Sequence, residues 1–184
     1  MKNYSLVRRM KISNNIEFPR LNIFLNAIDS LTEILGLNSS QIVEIEKIQS
    51  LPQGTFGKSL ADFLERNQLK PFTTGTRRKQ LHDCVHVLTG YESDPLGEAE
   101  VQAFLLGCKF NLANFLLYSG IKRRMKRKMG SNSSDYNIAQ QRLRCAYQRG
   151  QNSNLDPDSW TPENLWHFPL KSVQKALGVD SNLN

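Results

Sequence analysis

The sequence is poor in cysteine and histidine, and these shortages exclude several classes of protein. Its 184 residues include three cysteines and three histidines. Cys84, Cys108 and Cys145 are odd in number and widely spaced, which argues for a reducing compartment and against a disulfide framework. No stretch approaches the roughly 20 apolar residues that a membrane-spanning helix needs. The first twenty residues lack the apolar core of a secretory signal peptide, so we expect none.

Two of the three histidines, His82 and His86, lie one helical turn apart. Residues 77–89 carry leucine and valine at helical spacing and are followed by Gly90, a natural helix end, so the pattern predicts a helix. Positions four apart on a helix face the same way, so the two imidazoles project side by side. Asp83 lies about 100° round the helix from His82, close enough to lean toward the same point.

Glu98 begins the next predicted helix, after a polar turn bracketed by Gly90 and Pro95. A chain reversal at this turn brings Glu98 back over the two imidazoles. Imidazole nitrogens and carboxylate oxygens are the ligands that borderline divalent cations choose. The sequence therefore predicts a metal site with room for water or substrate, and any catalysis would act through that metal. Its four candidate residues are His82, Asp83, His86 and Glu98.

Other interpretations of these residues stay open. A pair of histidines on a helix also occurs at protein surfaces or helix N-termini without any metal. The segment is similar to the His-Glu-x-x-His helix of zinc peptidases, but Asp83 is one methylene shorter than the general-base glutamate there, which disfavours a peptidase. Cys84 points away from the histidines and is interpreted as an apolar filler. His167, between Trp166 and Phe168, is interpreted as a packed or capping residue.

The chain is basic, with a formal net charge of +7 and a pI of about 9.5. Such an excess favours anionic partners: nucleic acid, anionic lipid or a phosphorylated ligand. Six basic residues are concentrated in one run in the second half of the chain. This run is either a solvated helix end that the helix dipole favours or a site that docks on anionic lipid headgroups. Nucleic acid is disfavoured, because interleaved aromatics and a reading motif are missing. The basic residues of this run are Lys122, Arg123, Arg124, Lys126, Arg127 and Lys128.

The periodicity predicts an all-α protein, because no segment has convincing strand alternation. We expect an N-terminal arm at residues 1–20, followed at residues 21–184 by a single domain, an irregular bundle of about seven helices. The first of these helices is expected at residues 21–35, where apolar residues recur with helical spacing.

Residues 96–121 form the longest apolar stretch and are apolar nearly all round, which indicates burial or contact with lipid. The stretch is interpreted as a central core helix. The alternative is that part of it lines an apolar tunnel for an isoprenoid chain, with Phe104, Leu105 and Phe110 as candidate lipid contacts.

Taken together, the motifs resemble the Coq-four family of ubiquinone-biosynthesis factors. The pattern His82-Asp-x-x-His86, with Glu98 after eleven intervening residues, is similar to the family signature. A turn-rich segment at residues 51–57, with the helix after it, resembles a second landmark, and residues 166–179 resemble the family's ending. The likeness runs from about residue 21 to residue 179.

The resemblance implies that His82, Asp83, His86 and Glu98 ligate a divalent cation. Zinc is the first choice, and magnesium, manganese, iron and cobalt are alternatives. It also implies a ubiquinone-biosynthesis factor that acts at a membrane surface on the aromatic head of a prenylated precursor, by oxidative decarboxylation of the ring. The alternative is a non-catalytic scaffold or carrier that binds a prenyl lipid and organises the biosynthetic enzymes, so whether the chain is an enzyme stays open.

Several partners are expected on the same basis. They are a polyprenyl lipid or prenylated quinone precursor, an anionic membrane surface, other quinone-biosynthesis proteins, and further copies of this chain in a homo-oligomer. Nucleic acid is not an expected partner. The expected location is the cytoplasmic face of the inner membrane in a bacterium, or the matrix side of the mitochondrial inner membrane in a eukaryote.

Overall fold

The computed structural model describes residues 39–179, so the predicted arm at residues 1–20 and the predicted helix at residues 21–35 lie outside the described residues. Within residues 39–179 the chain forms eight α-helices and one 3₁₀-helix, with no β-strand beyond an isolated bridge between Thr55 and Pro169. The prediction of an all-α fold is confirmed. The elements are α1 (Ile45–Gln49), α2 (Phe56–Arg66), α3 (Arg77–Gln80), α4 (His82–Thr89), α5 (Pro95–Cys108), α6 (Leu112–Met129), α7 (Ser134–Gln151), a 3₁₀-helix (Pro162–Asn164) and α8 (Leu170–Ala176).

Side-chain caps start several helices and so fix where the chain turns. Thr55 accepts a hydrogen bond from the backbone N–H of Lys58 at the start of α2. Asp94 accepts one from the N–H of Gly97 at 2.7 Å and begins α5. Such caps satisfy backbone donors that have no partner within the helix. At the other end of the turn, α4 stops at Gly90, whose φ of 74° lies in the left-handed region that glycine adopts without strain.

Helix α5 lies at the centre of the fold because two of its faces are buried. One face packs through Val101 and Phe104 into a core shared with α1, α2, α4 and α8. Another face packs through Ala99 and Ala103 against α6 and α7. The nearly all-round apolar character of this part of the sequence therefore corresponds to burial inside the protein.

Two glycines allow α5 and α7 to cross at close range. A Cβ on Gly107 would overlap the carbonyl oxygen of Tyr147 and lie 3.0 Å from its carbonyl carbon. A Cβ on Gly150 would likewise overlap the carbonyl oxygen of Phe104 and lie 2.9 Å from that carbonyl carbon. Since backbone cannot yield as a flexible side chain does, only glycine fits at these two positions.

The apolar stretch at residues 96–121 is two helices, which corrects the expectation of one central core helix. Lys109 has an extended backbone, with φ −162° and ψ 126°, and ends α5. Asn111 then caps α6 by accepting hydrogen bonds from the N–H groups of Ala113 and Asn114. The asparagine side chain competes with the backbone for these donors and favours a new helix start over continuation. Only α5 is the core helix.

Candidate metal centre

The histidine pair lies on α4 as the spacing predicts. The ring centroids of His82 and His86 are 4.9 Å apart, and the rings are inclined by 71°. The His86 side chain is 1% exposed and that of His82 is 21% exposed. One imidazole is therefore inside the protein, and the other borders the solvent.

Glu98 reaches both imidazoles from the first turn of α5. Its Oε2 lies 3.3 Å from Nε2 of His82, and its Oε1 lies 3.2 Å from Nε2 of His86. The donor atoms of these three residues all lie within 4.8 Å of one another. The reversal between α4 and α5 thus brings the carboxylate to the histidines, as the sequence predicts.

The second nitrogen of His86 is fixed by the backbone. Nδ1 lies 3.0 Å from the carbonyl oxygen of Tyr91, which can only accept, so Nδ1 carries the proton and donates it. Phe63 stacks on the same ring at a centroid distance of 5.4 Å. In this tautomer Nε2 holds a lone pair that faces the carboxylate of Glu98, and it is a buried atom with no hydrogen-bond partner. The two groups repel each other unless a proton or a cation lies between them.

Asp83 is separated from this cluster. Its Oδ1 lies 3.4 Å from Nδ1 of His82, whereas the Nε2 atom of that imidazole faces Glu98. The structure therefore brings together three of the four predicted ligands and places the fourth on the other edge of the His82 ring. A carboxylate in this position orients a metal-binding histidine and raises its basicity.

The charges of the cluster shift its proton affinities in opposite directions. Burial lowers the pKa of His82, but the charge of Glu98 and the hydrogen bonds to Asp83 and Glu98 outweigh burial and raise that pKa to about 10. Burial raises the pKa of Glu98, but the charge of His82 and its hydrogen bond to Glu98 overcome burial and hold that pKa well below its ordinary range. The donor set therefore favours a positive charge, whether a proton or a metal ion.

The separations of the Glu98 carboxylate from the two imidazoles fit a small divalent cation. Ligand atoms placed 2.0 to 2.2 Å from a tetrahedral zinc ion lie about 3.4 Å from one another. The measured separations of Glu98 from His82 and His86, 3.3 and 3.2 Å, are close to this value. Two imidazoles and one carboxylate also form a ligand set found in catalytic zinc sites that keep an open position.

Gln102 also lies at the cluster and is a residue that the sequence interpretation missed. Its Nε2 is 3.5 Å from Nε2 of His82, and its Oε1 is buried without a hydrogen-bond partner. The signal was present in the sequence, because Gln102 follows Glu98 by one helical turn and therefore lies on the same face of α5.

The other predicted site residues are not part of the cluster. Phe104 and Leu105 lie in the protein core, with exposures of 0% and 5%, whereas Phe110 is 69% exposed. Cys84 is buried in the same core, in agreement with its interpretation as an apolar filler. His167 is exposed, which contradicts the first alternative of its interpretation as a packed or capping residue. The predicted basic residues occupy the C-terminal end of α6.

An exposed apolar patch lies at the start of α6, and of its residues only Phe110 was a predicted lipid contact. Its four residues are Phe110, Leu112, Phe115 and Leu116. Among residues 39–179, no helix is long and apolar enough to cross a membrane.

Comparison with known proteins agrees with these observations. The model of the family "Coenzyme Q (ubiquinone) biosynthesis protein Coq4" matches residues 36–182. The curated proteins named "Ubiquinone biosynthesis protein COQ4 homolog, mitochondrial" from Bos taurus and Homo sapiens are each 30% identical to the chain over 80 residues. Each match covers 36% of this chain and 30% of the relative, so it spans less than a third of the curated protein's length.

A solved structure shares the fold over most of the chain. It is the crystal structure of a protein from Nostoc punctiforme that is named for ubiquinone biosynthesis, and the TM-score is 0.65 at 19% sequence identity. The similarity covers 87% of this chain and 81% of the other. Because the family model spans the described helices together with the histidine and glutamate cluster, the chain belongs to the Coq4 family of coenzyme Q (ubiquinone) biosynthesis proteins.

Proposed function

We propose that this chain is a ubiquinone-biosynthesis factor in which His82, His86 and Glu98 hold a divalent cation against the aromatic head of a prenylated precursor. The observation that carries this proposal is the buried Nε2 of His86, which has no hydrogen-bond partner and faces the Glu98 carboxylate. Membership of the Coq4 family supports the pathway. Zinc is the cation that two imidazoles and one carboxylate favour.

The proposed reaction is oxidative decarboxylation of the ring. The bond between the ring and its carboxyl carbon breaks, the carboxyl group leaves as carbon dioxide, and a hydroxyl group takes its place on the ring. The ring is oxidised by two electrons: water supplies the oxygen of the new hydroxyl group, and dioxygen accepts the two electrons with two protons and leaves as hydrogen peroxide. A divalent cation bound at the site supplies Lewis acidity that stabilises negative charge on the ring oxygens.

Neighbouring residues fix the tautomer and the orientation of the two imidazoles. The Tyr91 carbonyl keeps the proton of His86 on Nδ1 and leaves Nε2 free to bind. Asp83 acts in the same way on Nδ1 of His82. Phe63 covers one face of the His86 ring and excludes water from it.

The metal site is tested by zinc analysis of purified variants. We expect His86→Ala to lose the bound zinc, because it removes a buried ligand. His167→Ala is the matched control, since it removes the exposed histidine outside the cluster and leaves the zinc content unchanged. Zinc content in His86→Ala equal to that of the unaltered protein would refute the proposal. Asp83→Ala, measured in the same series, tests the predicted direct ligation by Asp83.

A non-catalytic carrier is the second candidate function. The same donor atoms can bind a cation that in turn binds the phosphate group of a prenyl lipid. Glu98→Ala separates the two functions in a host that lacks its own family member. Loss of quinone synthesis with the protein still folded and membrane-bound supports catalysis. Continued synthesis by this variant supports the carrier.

We further propose that α6 docks on an anionic membrane surface. Phe110 and Leu112 are 69% and 63% exposed at its start, where they are available to insert among lipids. Lys122 and Lys126 follow Phe115 by seven and eleven residues, so at 100° per residue each of them points within about 20° of the direction of Phe115. One side of this helix therefore presents apolar groups followed by cations, a combination that suits a lipid interface.

Vesicle flotation tests this docking. We expect binding to vesicles that contain anionic lipid to exceed binding to neutral vesicles, since each basic residue near the surface contributes about 1 kcal/mol. Lys126→Glu and Leu112→Glu should each weaken the binding, whereas Lys47→Glu, a control at an exposed position of α1, should not. Equal binding to neutral and anionic vesicles would contradict the proposal.

A further inference from the structure

The turn that ends α4 contacts the candidate metal centre through its backbone. Nδ1 of His86 donates a hydrogen bond to the carbonyl oxygen of Tyr91, at a distance of 3.0 Å. Gly90 has a φ of 74°, so the chain leaves the helix immediately before the residue that His86 contacts. The orientation of the His86 ring therefore depends on the side chains that hold this turn in place.

Arg149 of α7 holds the turn from outside α4. Its Nη1 donates a hydrogen bond to the carbonyl oxygen of Thr89 at 2.9 Å, and its Cζ lies 5.3 Å from the centre of the Tyr91 ring. Its Nη2 donates to the carbonyl oxygen of Val179, the last residue that the structure describes. The final carbonyl groups of a helix have no partner within it, so a cation that binds one of them also meets the negative end of the helix dipole.

The backbone of α7 is itself fixed where Arg149 projects from it. The next residue, Gly150, crosses α5 so closely that a Cβ there would overlap the carbonyl oxygen of Phe104. Helix α5 also carries Glu98. Arg149 therefore ties the end of the helix that carries the histidines to a helix packed directly on the one that carries the carboxylate.

We propose that Arg149 is a positioning residue of the metal centre, which holds the Tyr91 carbonyl that orients His86; this inference rests on the proposed function. A guanidinium group is planar and donates in fixed directions, so it can bind two carbonyl oxygens while it lies against an aromatic ring. It thereby holds the two residues on either side of Gly90, one by its carbonyl oxygen and the other by its ring.

NMR spectroscopy of metal-free protein labelled with ¹⁵N-histidine tests this role. A buried imidazole N–H that donates to a carbonyl oxygen is sheltered from water, so His86 should give a resolved N–H resonance, assigned by its absence from His86→Ala. Arg149→Met keeps an unbranched side chain and removes the guanidinium, so this resonance should shift or broaden. Zinc affinity, measured by competition with a chromogenic chelator, should fall about tenfold, as on loss of other outer partners of a metal site.

Leu143→Ala is the matched control, because it removes a buried side chain from the same helix and leaves Arg149 in place. We expect it to lower the urea midpoint of unfolding while the resonance and the zinc affinity stay unchanged. An unchanged resonance and an unchanged zinc affinity in Arg149→Met would overturn the proposal. Equal losses in Leu143→Ala and Arg149→Met would also overturn it, because general destabilisation would then account for both.

Tyr91→Leu provides a second test that does not depend on the folding of Arg149→Met. It removes the ring beneath the guanidinium and leaves the acceptors of Arg149 in place, so the same resonance should shift and zinc affinity should fall. The absence of both changes contradicts the proposal. His86→Ala is measured in parallel. If it binds zinc normally, the metal centre itself fails; if it loses zinc while Arg149→Met and Tyr91→Leu keep zinc and the resonance, only the positioning role fails.

Discussion

Gly97 is the residue whose substitution tests most directly how the site is built. It immediately precedes Glu98 in the first turn of α5, where the turn from α4 packs against the helix. A Cβ at Gly97 would overlap the carbonyl oxygen of Glu92 and lie 2.6 Å from its carbonyl carbon and 2.9 Å from its nitrogen. Ordinary contacts between carbon atoms are about 3.5 to 4.0 Å, so alanine forces the backbone apart by about 1 Å.

The cost of Gly97→Ala follows from three contributions. Overpacking costs about 3 kcal/mol, the upper end of its range, because the obstacle is backbone. Displacing Gly97 from Asp94 weakens the helix cap by about 1 kcal/mol. The higher helix propensity of alanine offsets about 1 kcal/mol of this loss in the free energy of unfolding. The net loss of stability is therefore about 3 kcal/mol, which for a chain of 184 residues lowers the Tm by about 6 to 12 °C.

Urea and thermal unfolding followed by circular dichroism measure this loss, and zinc competition measures its effect on the site. The control is Gly120→Ala in α6, an exposed helical position where a Cβ meets no atom within 4 Å. There we expect a gain of about 0.4 to 1 kcal/mol and unchanged zinc affinity. If Gly97→Ala is as stable as the unaltered protein and binds zinc equally well, the close approach of the turn to α5 does not position Glu98.

Two further predictions concern the core and the charges of the site. Phe104→Ala should destabilise the protein by about 3 to 5 kcal/mol in urea unfolding, because this fully buried ring of α5 fills the core. A loss below about 1 kcal/mol would contradict its place in the core. In metal-free protein, the raised pKa of His82 contributes stability that is complete below pH 6.5 and is lost as the pH rises to about 10. The urea midpoint should therefore fall over this range more steeply in the unaltered protein than in His82→Gln, and equal slopes would show that the pairing with Glu98 contributes nothing.

Local sequence patterns were sufficient for the helical class and for the histidine pair. Helical periodicity and the relation between positions four apart depend on the backbone of one helix alone, so His82 and His86 could be placed before any tertiary contact was known. Gly90 and Pro95 marked the turn between α4 and α5 for the same reason, since both act on their own backbone torsions. The place of Glu98 could be expected from that turn, although its distances could not.

Tertiary structure decided which carboxylate joins the site. From the sequence alone, the carboxylates of Asp83 and Glu98 are equally good candidate ligands. In the structure Asp83 contacts Nδ1 of His82, whereas Glu98 contacts Nε2 of the same ring. Asp83 is the neighbour of His82 in α4, whereas Glu98 meets Nε2 only because α4 packs against α5, and that packing depends on contacts between residues far apart in the sequence. The same packing brings Gln102 to the site.

The sequence by itself determined the chemistry that is available: two imidazoles on one face of a helix, a carboxylate after a turn, and a basic end to α6. Tertiary structure alone decided how that chemistry is arranged. It buried α5 and left α6 partly exposed, and it left Nε2 of His86 without a partner beside Glu98. The physical reason is that helix formation is governed by neighbouring residues, whereas burial and the approach of two donors require chain segments to pack together.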